Sequence, residues 1–203
     1  SGPGSSLPAT KSLRAALPKL VRDLDVKTFM DCPCGDYLWM QEVDFSDTPL
    51  QHYFGGDITK VSISENQRCF ASSQVHFNVF DLTCQLPPPV DLLLVRDVLF
   101  HLPEPAIKQV LENINSSGAK YLATTSFKTN RQGIWREGAY HDTSSLRQDK
   151  GQSAFIGSNK IDLYQPPFLF PPPIYTIQEK EADPQNLGRH VGVWKLPIVP
   201  TTG

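Results

Sequence analysis

Five short apolar runs, each closing on a polar or acidic residue, most constrain what this chain can fold into. They occupy residues 26–31, 52–57, 75–81, 90–95 and 121–126. The run Val90-Asp91-Leu92-Leu93-Leu94-Val95 is nearly all apolar, as expected of a strand covered on both faces in a parallel sheet. Helix candidates separate the runs. Ahead of them Leu13, Ala16, Leu17, Leu20, Val21 and Leu24 recur at helical spacing. Pro18 is expected to break that helix or start its second half, because proline removes an interior hydrogen bond. Ser62-Ile63-Ser64-Glu65 reads as a capping box that opens a helix toward Ala71. Pro105 suits a first helical position, with Ile107, Val110, Leu111 and Ile114 following on one face. Alternation of this kind predicts an α/β, doubly wound sheet with right-handed crossovers.

The rhythm changes after Ser126. Residues 128–165 are polar and only weakly periodic, and a loop that long inside a compact domain serves as a lid or binding segment. The proline-rich stretch from Gln165 to Pro173 is stiff and extended, and has Phe168 and Phe170 to bury. We therefore read 128–173 as a lid or acceptor-binding insertion. Two last strands, Ile174–Glu179 and Val191–Leu196, flank a turn-rich linker and suit an antiparallel hairpin. Ser1-Gly2-Pro3-Gly4-Ser5 reads as an expression scar, which leaves 6–203 as a single domain.

Bulk properties exclude some partners. At 203 residues the chain can bury one proper core. A net charge of −2 with mixed signs argues against a dedicated nucleic-acid binder, which needs a basic face. No apolar run approaches the roughly 20 residues needed to span a bilayer. The cysteines 32, 34, 69 and 84 lack zinc-type spacing and read as buried free thiols, so no metal is expected. They favour a cytoplasmic setting, with a secretory organelle open if an anchor precedes this segment.

The chemistry concentrates at Asp31-Cys32-Pro33-Cys34-Gly35-Asp36-Tyr37-Leu38-Trp39-Met40. This turn follows the first strand, and Gly55-Gly56-Asp57 closes the second. Open parallel sheets take ligands beyond the carboxyl ends of their strands, where strand order reverses. Gly35 allows close backbone approach, and the helix expected after it offers free N–H groups. Asp57 stands 22 residues beyond Gly35, close to the spacing at which an acid meets ribose hydroxyls. A single glycine where a dinucleotide fingerprint wants three disfavours NAD or FAD.

On these residues the chain resembles a class I S-adenosylmethionine (SAM)-dependent methyltransferase. The resemblance covers about residues 12–196. It implies a three-layer Rossmann-like fold with a seven-stranded, mostly parallel sheet and an antiparallel C-terminal hairpin. It implies SAM as cofactor, held by Asp31, Cys32, Pro33, Gly35 and Trp39 after the first strand and by Asp57 and Ile58 after the second. Asp81 and Leu82 would lie near the adenine, and Arg96 and Asp97 near the transferred methyl. The pattern Asp-x-Pro-Cys-Gly-Asp-x-x-Trp-Met, with Gly-Gly-Asp-Ile, Arg-Asp-x-Leu-x-His-Leu and Leu-x-Thr-Thr-Ser-Phe, is similar to one branch of that family. Its members often lack an assigned substrate, and some accompany glycan-modifying enzymes. Pro33 and Tyr37 replace the glycines of the wider family, and Tyr37 is expected to add a ring near the carboxylate end of the ligand or to block part of it.

Each residue also has a plainer reading. Asp31, Asp57 and Asp81 favour caps and turns wherever they occur, and Trp39 is more often core than cofactor platform. Asp97 and His101 would share a face of a helix, where the imidazole could take a proton from an acceptor hydroxyl. A salt bridge for Arg96 and a packing role for His101 are the alternatives. Trp135, Arg136, Tyr140, His141 and Asp142 suit a polyhydroxylated acceptor or a partner-binding loop; Asn159 and Asp162 are similar candidates, and His190 reads as a hairpin residue. The acceptor expected is a hydroxyl of a glycan or small metabolite. Methylation of protein or RNA and an inactive methyltransferase-fold module are the rival readings, and oligomeric state is left open.

Overall fold

The computed structural model describes residues 2–128, 160–183 and 188–199. Among the described residues these α-helices and strands follow one another: α1 (Lys11–Asp23), β1 (Thr28–Asp31), β2 (His52–Asp57), α2 (Lys60–Phe70), β3 (Val75–Val79), β4 (Leu92–Val95), α3 (Glu104–Ser116), β5 (Tyr121–Phe127), β6 (Tyr175–Gln178) and β7 (Arg189–Lys195). The strands form one seven-stranded sheet in the order β3-β2-β1-β4-β5-β7-β6. β1 to β5 pair in parallel, while β7 runs antiparallel to both β5 and β6. This is the three-layer Rossmann-like α/β architecture with an antiparallel C-terminal hairpin.

β4 explains the two cores. Successive strand side chains point to opposite faces, and all four residues of β4 are buried. Leu93 and Val95 join α3 through Ile107, Val110 and Ile114. Leu92 and Leu94 join α1 and α2 through Leu13, Leu17, Leu20, Val21 and Ile63. The proline-rich stretch does bury Phe168 and Phe170 on the α3 side, where the Trp194 indole N–H donates to the Pro171 carbonyl at 2.7 Å.

Five local expectations need correction. α1 runs unbroken through Pro18, because apolar residues on both sides of the proline are seated on the sheet and outweigh one missing backbone bond. α2 begins at Lys60, and Ser62 lies inside its first turn. Glu65 faces outward and pairs with Arg68 rather than reaching back as a capping box requires. Glu104 precedes Pro105 in α3. Between β1 and β2 the predicted helix is absent: turns lead to a short 3-10 turn, Met40–Glu42. Gly35 at φ 56° and Tyr37 at φ 60° bend the backbone out of helical geometry there. Of the thiols, Cys32 and Cys34 are buried as expected, whereas Cys69 and Cys84 are exposed, and all are free. Among the described residues no helix is long and apolar enough to cross a membrane.

Candidate functional site

Strand order reverses between β1 and β4, and a cavity of about 410 Å³ opens beyond their carboxyl ends. It is lined by Asp31, Pro33, Gly35, Trp39, Asp57, Arg96, Asp97 and His101 from the predicted set. Cys34, Phe100, Ala182, Arg189 and the N-terminal residues Gly2 to Ser5 line it as well.

Asp31 ends β1 with its carboxyl group almost wholly enclosed. The Tyr53 hydroxyl donates to Oδ2 at 3.0 Å. Among the described residues Oδ1 meets no hydrogen-bond donor. Burial pushes this carboxyl up to about 7, against the opposing pull of the Tyr53 bond and the Arg96 charge, and the nearby Asp57 adds to the rise. An unmatched buried acceptor is costly unless a ligand supplies a donor.

Asp57 ends β2 and shapes the turn below the cavity. Its Oδ2 accepts the Gly35 N–H at 3.0 Å and its Oδ1 accepts the Thr59 N–H at 2.8 Å. The turn reading of this residue is thus correct as far as it goes. The same carboxylate still lines the cavity, and each oxygen keeps a second lone pair. Gly35 is fixed from the other side by Asn66, whose amide donates to its carbonyl at 2.8 Å.

Past β4 the backbone turns sharply at Asp97, which sits at φ 58°. Non-glycine residues in this region cluster where surrounding contacts over-determine them, and here those contacts form a charge ring. Arg96 Nε donates to Glu179 Oε1 at 2.8 Å and Arg189 Nε to Glu179 Oε2 at 3.0 Å. Arg189 Nη2 donates to Asp97 Oδ1 at 2.5 Å, and Arg96 Nη1 lies 3.2 Å from Asp97 Oδ2. Thr125 adds a hydroxyl bond to Asp97 Oδ1 at 3.2 Å. Glu179 at the base is fully buried. Asp97 is therefore occupied holding two guanidinium groups. It does not share a helix face with His101, which ends a separate 3-10 turn, Leu99–His101. Burial holds the His101 imidazole below its usual range, against the pull of Asp97 and with the help of Arg189, so the ring is neutral near pH 7.

Other predicted residues lie elsewhere. Cys32 and Leu82 are core, and Ile58 is exposed outside the cavity lining. Asp81 accepts from the backbone and hydroxyl of Thr83 at 2.9 and 2.6 Å, which keeps its carboxyl low, and it does not line the cavity. Tyr37 turns away from the cavity and packs against Tyr53, Phe70 and Phe77. Trp39 serves both readings: it is core, and its ring lies 5.5 Å under the Arg96 guanidinium at the cavity wall. His190 is buried, bonded to the Tyr164 hydroxyl and the Gly188 carbonyl at 2.8 Å each. Asp162 accepts the Tyr164 N–H at 3.0 Å in a local turn. Trp135, Arg136, Tyr140, His141, Asp142 and Asn159 lie outside the described residues.

Sequence reasoning passed over Glu179 and Arg189, and it read the cavity-lining Gly2 to Ser5 as an expression scar. An acid ending one strand of a hairpin and an arginine opening the next was the available signal for the first two.

No family model matches the chain, and no curated protein matches it. Solved structures do. The methyltransferase domain of a bacterial Hen1 protein aligns over 93% of this chain and 100% of its own, with a TM-score of 0.61 at 11% identity. The N-methyltransferase NodS from Bradyrhizobium japonicum aligns over 93% and 94%, at 0.54 and 13%. The likeness is one of fold. Human N-acetylserotonin methyltransferase, solved with SAM, is matched over 58% of this chain but only 34% of its own length, with a TM-score of 0.47 and 16% identity.

Proposed function

We propose that this chain is a SAM-dependent methyltransferase acting on a hydroxyl of a glycan or small metabolite. The observation that carries the proposal is Asp31, a buried carboxylate with one unmatched oxygen, beside Asp57 at the strand-order switch. Arg96 and Arg189 are balanced by Glu179 and Asp97, so the two remaining aspartates leave the cavity acidic. Such a wall favours a cationic ligand over a neutral one of the same shape. It also suits the donor set of SAM: an ammonium beside the Asp31 carboxyl and ribose hydroxyls for the spare lone pairs of Asp57. When bound, SAM supplies a methyl group on a positively charged sulfur.

The residues of the chain do the rest. Gly35 and the strand ends fix the adenosyl side, and alignment is their main contribution. Phe100 and Trp39 exclude water. The acceptor hydroxyl must lose a proton, and the neutral His101 imidazole is the base that receives it. Asp97 holds charge and geometry at the β4 exit rather than accepting that proton. The balanced arginines offer little to a phosphate-rich acceptor, which supports a neutral hydroxyl compound over RNA. Methyl-labelled SAM incubated with neutral oligosaccharides, small alcohols, RNA and protein tests this. The expected result is label in a hydroxyl compound. Label in RNA or protein would contradict the acceptor class, and cofactor binding without transfer to any acceptor would mark an inactive module.

A further inference from the structure

The N-terminal residues, read from the sequence as an expression scar, contribute more to the cavity than a scar should. Gly2, Pro3, Gly4 and Ser5 form one of its walls. Pro3–Ser5 is a 3-10 turn, closed by the Ser5 N–H on the Gly2 carbonyl at 3.0 Å and the Ser6 N–H on the Pro3 carbonyl at 3.2 Å. The turn is held at its middle, Gly4, and just past its end, at Ser6. The hydroxyl of Thr10, itself wholly buried, donates to the Ser6 carbonyl at 3.0 Å. Arg96 Nη2 donates to the Gly4 carbonyl at 2.8 Å, from a side chain almost entirely enclosed. The ring that fixes Arg96 therefore also fixes this segment.

Gly4 stands where no larger residue fits. A β-carbon there would lie 2.9 Å from Asp97 Oδ2. That oxygen has little freedom to retreat, since its carboxylate is held by Arg96, Arg189 and Thr125. Closeness of this kind is what glycine allows.

We propose that residues 2–5 are a working part of the site, a strap that closes the acceptor side of the cavity over bound cofactor. This rests on the methyltransferase reading above. The strap sits over Arg96 and Asp97 at the β4 exit, on the side away from the β2 exit where Asp57 stands. It therefore covers the end at which, on this reading, the methyl group is transferred. Gly2 and Pro3 are exposed and Gly4 and Ser5 half-buried, so opening the strap for cofactor exchange uncovers no buried side chain of the turn and gives up the Arg96–Gly4 hydrogen bond.

The test uses the full chain, Gly4→Val and a variant lacking residues 1–5, with S-adenosylhomocysteine as probe. Amide exchange of residues 2–10 is followed with and without probe, alongside calorimetric affinity. The expected result is protection of the wild-type segment on binding. Gly4→Val should lose that protection, and both variants should bind about tenfold more weakly, the scale of one or two hydrogen-bonded contacts, with unchanged thermal midpoints in the free state. Wild-type protein that binds the probe without protecting the segment, or variants that bind equally well, would overturn the strap alone. Wild-type protein that fails to bind would overturn the cofactor reading and the strap with it.

Discussion

Asp31 joins burial, an unmatched oxygen and a raised pKa in one side chain, and each has a measurable consequence. Its folded pKa of about 7 stands above the 3.8 ordinary for an aspartate. Its stabilising effect is thus complete below the lower value and is lost as pH rises toward 7, because the folded state binds the extra proton in that window. Asp31→Asn should flatten the fall in stability between about pH 4 and 7, read by urea denaturation across that range. Binding of a cationic ligand has the opposite sign. SAM affinity should rise as pH passes upward through about 7, and Asp31→Asn should remove the rise; a flat wild-type profile would contradict the role given to this carboxylate. For His101 the expectation is kinetic. His101→Gln should lower kcat by about 10²–10⁴ with cofactor affinity little changed, and an undiminished kcat would assign the proton to another group. Asp31 and Asp57 were legible in the sequence because a strand exit announces its own end. The Asp97–Arg189 contact was not, since its partners are 92 residues apart and nothing local to Asp97 names the strand that will lie beside it.

At the scale of elements, the strands read well and the joins read less well. Every predicted apolar run became a strand, with ends shifted by a few residues, because burial on two faces leaves an unambiguous pattern. The helix expected after β1 failed because left-handed residues at Gly35 and Tyr37 decide the backbone, and only the glycine advertises that conformation. The misplaced start of α2 has a similar cause: Asp57 takes the Thr59 N–H, so the chain turns before Ser62 can cap. Pro18 is the informative case. Its ring leaves the Arg14 carbonyl without its usual helical donor, yet tertiary packing keeps α1 whole. Pro18→Ala should therefore raise stability by about 1–3 kcal/mol, seen as a higher urea midpoint with the same slope. A loss would mean that the proline ring contributes packing that alanine cannot replace.

Across the whole molecule, the charge ring ties together parts that are distant in sequence: the β4 exit, the ends of β6 and β7, and the N-terminal strap. A fully buried Glu179 between two arginines is a poor contributor to net stability compared with apolar packing, but removing one member strands the others. Glu179→Leu should destabilise the fold by about 3–5 kcal/mol, measured by denaturation; a loss below about 1 kcal/mol, in the range of an exposed pair, would show that the arginines find other partners. The same ring neutralises the arginines and leaves the cavity to Asp31 and Asp57, so the architecture and the proposed ligand preference have one origin. Titration calorimetry of SAM into the wild-type chain and into Asp57→Ala examines that link most directly. The account predicts micromolar binding by the wild type, tighter for SAM than for its uncharged-sulfur product, and binding weakened at least tenfold by the substitution. No binding by the wild type, or equal binding by both proteins, would contradict it.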